Sequence, residues 1–118
     1  MVDGYRVPVT EGDRIRAALV TQMVAAATGV SAERMGARHN RGSLACRARW
    51  LAIYLTHIAF GWPLERVSHA FGLNRATASA ACRWVEDERD RPALDLWLDR
   101  LETCAREICD APPCELTS

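Results

Sequence analysis

The sequence predicts an all-α fold, a compact bundle of about five to six helices, and three observations carry that expectation. Apolar residues recur at helical spacing through most of residues 11–110, with no run of alternating polarity that would suggest a strand. The periodic segments are bracketed by residues that start and stop helices, with Ser, Thr, Asn or Pro in front and Gly behind. The stretch 63–88, PLERVSHAFGLNRATASAACRWVEDE, breaks at Gly72 into a short helix and a longer one, the layout of a helix-turn-helix.

Residues 1–10 read as an irregular lead-in. Thr10 suits the N-cap of a helix running to about Thr28, with Ile15, Leu19, Met23 and Ala26 on one face and Gly29 ending it. Ser31 caps a single turn that Gly36 stops. A loop over 37–43 carries Arg38, His39 and Arg41. Ser43 caps the next helix, to about Phe60, where Leu44, Ala48, Leu51, Leu55 and Ile58 line one side. The opposite side holds Arg49, Trp50, Ile53 and His57, an odd mixture for a purely solvated face, and Gly61 closes the helix.

Pro63 fits a first helical position, where its missing N–H has no intrahelical partner to lose. Leu64, Val67 and Phe71 then share a face, Gly72 fits a left-handed C-terminal cap, and Asn74 is a good N-cap for the second helix. On that helix Ala78, Ala81, Cys82 and Val85 fall on one side; Arg75, Ala76, Ser79, Ala80 and Arg83 fall on or near the other. Pro92 opens a last, amphipathic helix with Leu94, Trp97, Leu98, Leu101, Ala105 and Ile108 in register. The expected organisation is one domain over 11–110 with a disordered tail over 111–118.

A chain of 118 residues is long enough for a single domain with a real core, and 49% apolar with 25% charged residues is ordinary for a globular protein. The apolar runs fall short of a membrane span and the N-terminus lacks a signal pattern, so a cytoplasmic protein is expected. Net charge is zero, yet it is unevenly placed. Residues 34–83 hold eight arginines against one acid, Glu65, an excess of seven positive charges. Residues 84–118 hold four arginines against ten acids. A chain that separates its charge this way can present a basic face to phosphate, and that face includes the helix-turn-helix. Five cysteines, without a C-x-x-C and with no histidine near the last three, point to reduced thiols rather than a zinc site.

The stretch GVSAERMGARHNRGSLACRARWLAIYL, followed by PLERVSHAFGLNRATASAACRWVEDE, resembles the C-terminal DNA-binding domain of the bacterial replication initiator DnaA. The likeness runs from roughly Ile15 to Leu101. It is carried by the valine–serine turn before a basic loop, the arginine-rich start of a long helix with Ala52 and Tyr54, the AFG turn, and the ending ACRWVED. It implies a DNA-binding domain standing alone, since the 118 residues hold no phosphate-binding loop or other ATPase element and imply no nucleotide.

The resemblance also assigns positions. The family's minor-groove arginine matches Arg41, and Arg47 and Arg49 match its basic residues at the start of the long helix. His57 stands where a lysine commonly contacts the DNA backbone. The family's base-reading signature, arginine-aspartate-histidine-threonine-threonine, falls on Leu73, Asn74, Arg75, Ala76 and Thr77, of which only Thr77 is identical. Trp50 replaces a glutamine and Ala80 a frequent histidine. The scaffold is kept and the reader altered, which implies a target other than the family's nine-base-pair box.

Double-stranded DNA is thus the expected partner, through Arg38, Arg41, Arg47, Arg49, His57, Asn74, Arg75, Ala76, Thr77, Ser79 and Arg83. Arg75 suits a bidentate contact to guanine, or else a phosphate; Asn74 serves as a helix cap or a base reader; Arg83 suits a phosphate. Trp50, Ile53 and Trp84 offer a surface for a homodimer or a protein partner, or pack against the N-terminal helix. The second function class is therefore a protein-interaction module that kept the fold. No catalytic set of nucleophile, base and carboxylate assembles from the spacing, so no enzyme, cofactor or metal is expected.

Overall fold

Local capping chemistry sets where the helices begin and end. The computed structural model describes residues 10–37, 43–112, 114 and 116. Among them lie six helices, α1 (Glu11–Thr28), α2 (Ala32–Gly36), α3 (Leu44–Phe60), α4 (Leu64–Phe71), α5 (Arg75–Glu88) and α6 (Pro92–Asp110), and no strand. The side chains of Thr10, Ser31, Ser43 and Asn74 each accept from the backbone N–H three residues on, as N-caps do. Gly29, Gly61 and Gly72 end α1, α3 and α4 in the left-handed conformation. Pro92 starts α6 as expected, whereas Pro63 is the N-cap of α4 and stands one residue ahead of the first helical position.

The long helix α3 is the axis of the molecule and packs against each of the other five helices. Its central six residues, Leu51 to Thr56, are all buried, so no solvated face exists there. Ile53, expected on the outer side, is fully buried against Val67, Ala78 and Ala81 of α4 and α5. A helix at the centre of a bundle is covered all round, and its two apolar sides serve two cores. The larger core joins α1, α2, α3 and α6 through Val20, Val24, Met35, Leu55 and Leu98, and takes in Val85 of α5. The smaller seats α4 and α5 on α3 through Ile53, Trp62, Val67, Ala78 and Ala81.

Three apolar faces differ in part from the expected register. In α1 the buried positions are Asp13, Ala17, Val20 and Val24, while Ile15 is exposed, Ala26 is exposed and Leu19 and Met23 are half-buried. In α3 Leu44, the first helical residue, is exposed, while Ala45, Cys46 and Ala48 of the same end are buried. Ile108 is likewise exposed near the end of α6, although Leu98 and Ala105 are buried as expected. The reason in α1 is a sequence apolar on several sides, AALV followed by MVAAAT, which leaves the choice of face to tertiary packing.

Helix α6 ends at Asp110, and the described tail positions Ala111, Pro112, Cys114 and Leu116 are exposed and outside regular structure. The lead-in over 1–9 and most of the basic loop, with Arg38, His39 and Arg41, lie outside the described residues. No described helix is long and apolar enough to cross a membrane. All five cysteines are free thiols, and burial pushes the half-buried Cys82 thiol up to about 11.

Candidate nucleic-acid interface

The second helix of the helix-turn-helix is made two-sided by its small residues. Ala78, Ala81 and Val85 are buried, and the alanine methyls let α5 approach α3 and α4 closely. Arg75, Ala76, Ser79, Ala80 and Arg83 lie across roughly 140° of the opposite arc, at about 100° per residue. Arg75, Ala76 and Arg83 are exposed, and Ser79 and Ala80 are half-buried. The turn between α4 and α5 is three residues, Gly72, Leu73 and Asn74, closed by a hydrogen bond of 2.8 Å from the Leu73 N–H to the Ser68 carbonyl. This arrangement leaves Asn74, Arg75 and Ala76, at the start of α5, exposed.

Asn74 acts as a cap: its Oδ1 accepts from the Thr77 N–H at 2.8 Å. Thr77 is half-buried beneath it. The Arg75 side chain is 66% exposed and stands 3.7 Å from the Glu65 carboxylate of α4. Glu65 is the lone acid of residues 34–83, and nothing in its spacing announces a pairing ten residues away. Arg47 is exposed and Arg49 half-buried in the early turns of α3; Arg49 shares a cleft with Ala70 and Phe71 of α4. His57, in the last turn of α3, has its Nδ1 2.6 Å from the Trp62 carbonyl, so that nitrogen serves the turn before α4.

Two ion-pair sites that fix this scaffold have no signature in local spacing. Asp13 of α1 is 3% exposed and accepts from Arg66 of α4 twice, Nε to Oδ2 at 2.9 Å and Nη2 to Oδ1 at 2.7 Å. The same guanidinium lies 4.3 Å from the centroid of the Trp62 ring. The Arg66 hydrogen bonds hold the Asp13 carboxyl below its usual range despite the opposing effect of burial. At the other end of the helix-turn-helix, Arg89 donates to the Tyr54 hydroxyl at 3.0 Å and to the carboxylates of Asp95 and Asp99. Tyr54 in turn donates to Glu86 at 3.1 Å, so the end of α5 is bound to both α3 and α6. Burial raises the Tyr54 hydroxyl above its usual range, and Arg89 stays charged.

These pairings redistribute the basic excess. Arg66 is neutralised by Asp13 and Arg75 is partly screened by Glu65, whereas Arg34, Arg47, Arg49 and Arg83 carry no ion pair among the described residues. Trp50 and Trp84 meet edge to face with centroids 5.8 Å apart, both half-buried, in the contact between α3 and α5. Ile53 is fully buried beneath them, so of the expected partner surface of Trp50, Ile53 and Trp84 only the two tryptophans reach solvent. Among the described residues no three His, Cys, Asp or Glu are grouped to hold a metal ion.

No protein-family model matches the chain, and neither a curated protein nor a solved structure matches it.

Proposed function

We propose that this chain is a sequence-specific double-stranded DNA-binding protein that lays α5 in the major groove and acts by occupying its site. A transcriptional regulator or a modulator of replication initiation works in this way. The observation that carries the reading is the outward face of α5: exposed Arg75, Ala76 and Arg83 over a buried alanine seam, behind a three-residue turn. Arg75 starts the helix, where base edges come within reach of a guanidinium that binds guanine O6 and N7. Arg83 two turns on and Arg47 on α3 are free for phosphate. Ala76 and Ala80 offer only methyl contact to thymine, so the family's nine-base-pair box is not the favoured site of this helix.

Selection of duplexes from random sequence with the purified chain tests the proposal. The expected result is one enriched motif, bound with a slope of log affinity against log salt of about −4 to −6 for five to seven phosphate contacts. Enrichment of no motif, or binding insensitive to salt, overturns it. A competition in which the family's box outcompetes random duplexes overturns the altered-reader part alone.

A further inference from the structure

The cleft between α1, α2, α3 and α4 has a chemistry that phosphate contact by Arg49 does not use up. It encloses about 260 Å³. Its floor is Ala17, Ala52 and the buried Met35, and Phe71 closes one wall. The space exists because helices meet here through alanines; protein interiors otherwise fill to a density of about 0.74. Arg14 of α1 and Arg49 of α3 stand on its lining, and no carboxylate does. Neither guanidinium makes a hydrogen bond or ion pair among the described residues, whereas Arg66, Arg89 and Arg106 all do.

We propose that this cleft binds a small organic anion, with its carboxylate on Arg14 and Arg49 and a compact apolar body on the alanine and methionine floor. Guanidinium groups match carboxylates in paired, directional hydrogen bonds, and an apolar floor rewards a carbon body that a bare inorganic ion lacks. The volume lies just under the roughly 300–1,000 Å³ of drug-sized sites and above the ~150 Å³ that accommodates benzene in an engineered cavity. The occupant is therefore of the size of an aromatic or short branched carboxylic acid. Occupancy has a consequence for DNA that rests on the function proposed above. The ligand takes Arg49 away from phosphate, and Phe71 of the cleft is the last residue of α4, directly before the Gly72 turn.

Benzoate is the probe. The full chain, isotope-labelled, is titrated at constant ionic strength with benzoate, benzyl alcohol and inorganic phosphate while the methyl resonances of Ala17, Ala52 and Met35 are followed. Saturable shifts with benzoate are expected, with roughly ten-fold or weaker binding of both other probes, because each lacks the carboxylate or the apolar body. The Arg14→Gln, Arg49→Gln double variant should lose about ten-fold or more in affinity for benzoate. Ala18→Leu, on the exposed rim, should block the cleft without lowering thermal stability. Absence of saturable shifts, equal binding of benzyl alcohol or phosphate, or full binding by the double variant overturns the site. With the selected duplex present, benzoate should weaken binding and lower the salt slope by about one. Unchanged DNA affinity at full occupancy overturns the coupling alone. A chain that fills its cleft yet binds no duplex overturns the DNA reading and leaves the ligand site standing.

Discussion

Arg66 shows how a single side chain can be read in two opposite ways. In the sequence it is one of eight arginines in a basic segment, and it counts toward a phosphate-binding face. In the fold its charge is spent on Asp13, a carboxylate carried 53 positions away on α1 and buried there. Nothing in local spacing links the two, because the pair is made by the packing of α1 on α4. Arg66→Met should destabilise the protein by about 2–3 kcal/mol in chemical denaturation, since it leaves a buried carboxylate without its donors. The pair also sets a pH dependence. Asp13 has its carboxyl lowered from the usual 3.8, chiefly by the Arg66 hydrogen bonds. Its contribution is therefore complete above the unfolded value of about 4 and is lost as pH falls through the lower folded value. Asp13→Asn should be less stable than the wild type at pH 7, and that gap should narrow below about pH 4. Asn74 had two readings in the sequence, and the 2.8 Å contact to the Thr77 N–H fills the capping one. Asn74→Ala should cost about 1 kcal/mol of stability and Asn74→Asp almost none.

The helices themselves were largely legible, because caps act over three or four residues and leave their mark in the chain. Thr10, Ser31, Ser43 and Asn74 at one end and Gly29, Gly61 and Gly72 at the other stand where their chemistry places them. What each helix buries was less legible. Helix α1 has apolar residues on several sides, and the choice of Ala17, Val20 and Val24 over Ile15 and Leu19 was made by its neighbours. Helix α3 lies between two cores, so the mixed side of Arg49, Trp50, Ile53 and His57 is inward at Ile53. The seat of α5 depends on smallness at Ala78 and Ala81, both fully buried. Ala81→Leu should cost about 1–3 kcal/mol and displace α5, weakening any duplex binding together with thermal stability. Gly72→Ala should cost about 1 kcal/mol through its φ of 69° alone, since no atom lies within 4 Å of the added methyl.

At the scale of the whole molecule, charge separation along the chain becomes separation in space only in part. In the acidic 84–118 segment Asp95 and Asp99 fasten α6 to Arg89 at the end of α5, while Glu102 pairs within α6 with Arg106, which itself donates to the Ala59 and Ile58 carbonyls of α3. The basic segment gives up Arg66 and partly Arg75, and keeps Arg47, Arg49 and Arg83 free among the described residues. The candidate site was legible on α5, where helical periodicity alone divides the buried from the exposed face. It was not legible at Arg89 or Trp50, which meet Tyr54 and Trp84 across helices distant in sequence, nor at Glu65, whose partner Arg75 lies across the turn on the next helix. In the proposed function Arg75, at the outward N-terminus of α5, reads bases rather than only touching phosphate. A binding assay decides this by comparing wild type with Arg75→Ala on the selected duplex and on an unrelated one, at matched salt. The expected result is a loss of about 1–3 kcal/mol on the selected site and little on the unrelated duplex, with preference flattened at one or two base pairs. Equal loss on both duplexes, with the fold intact, would contradict the claim and reduce Arg75 to a phosphate contact.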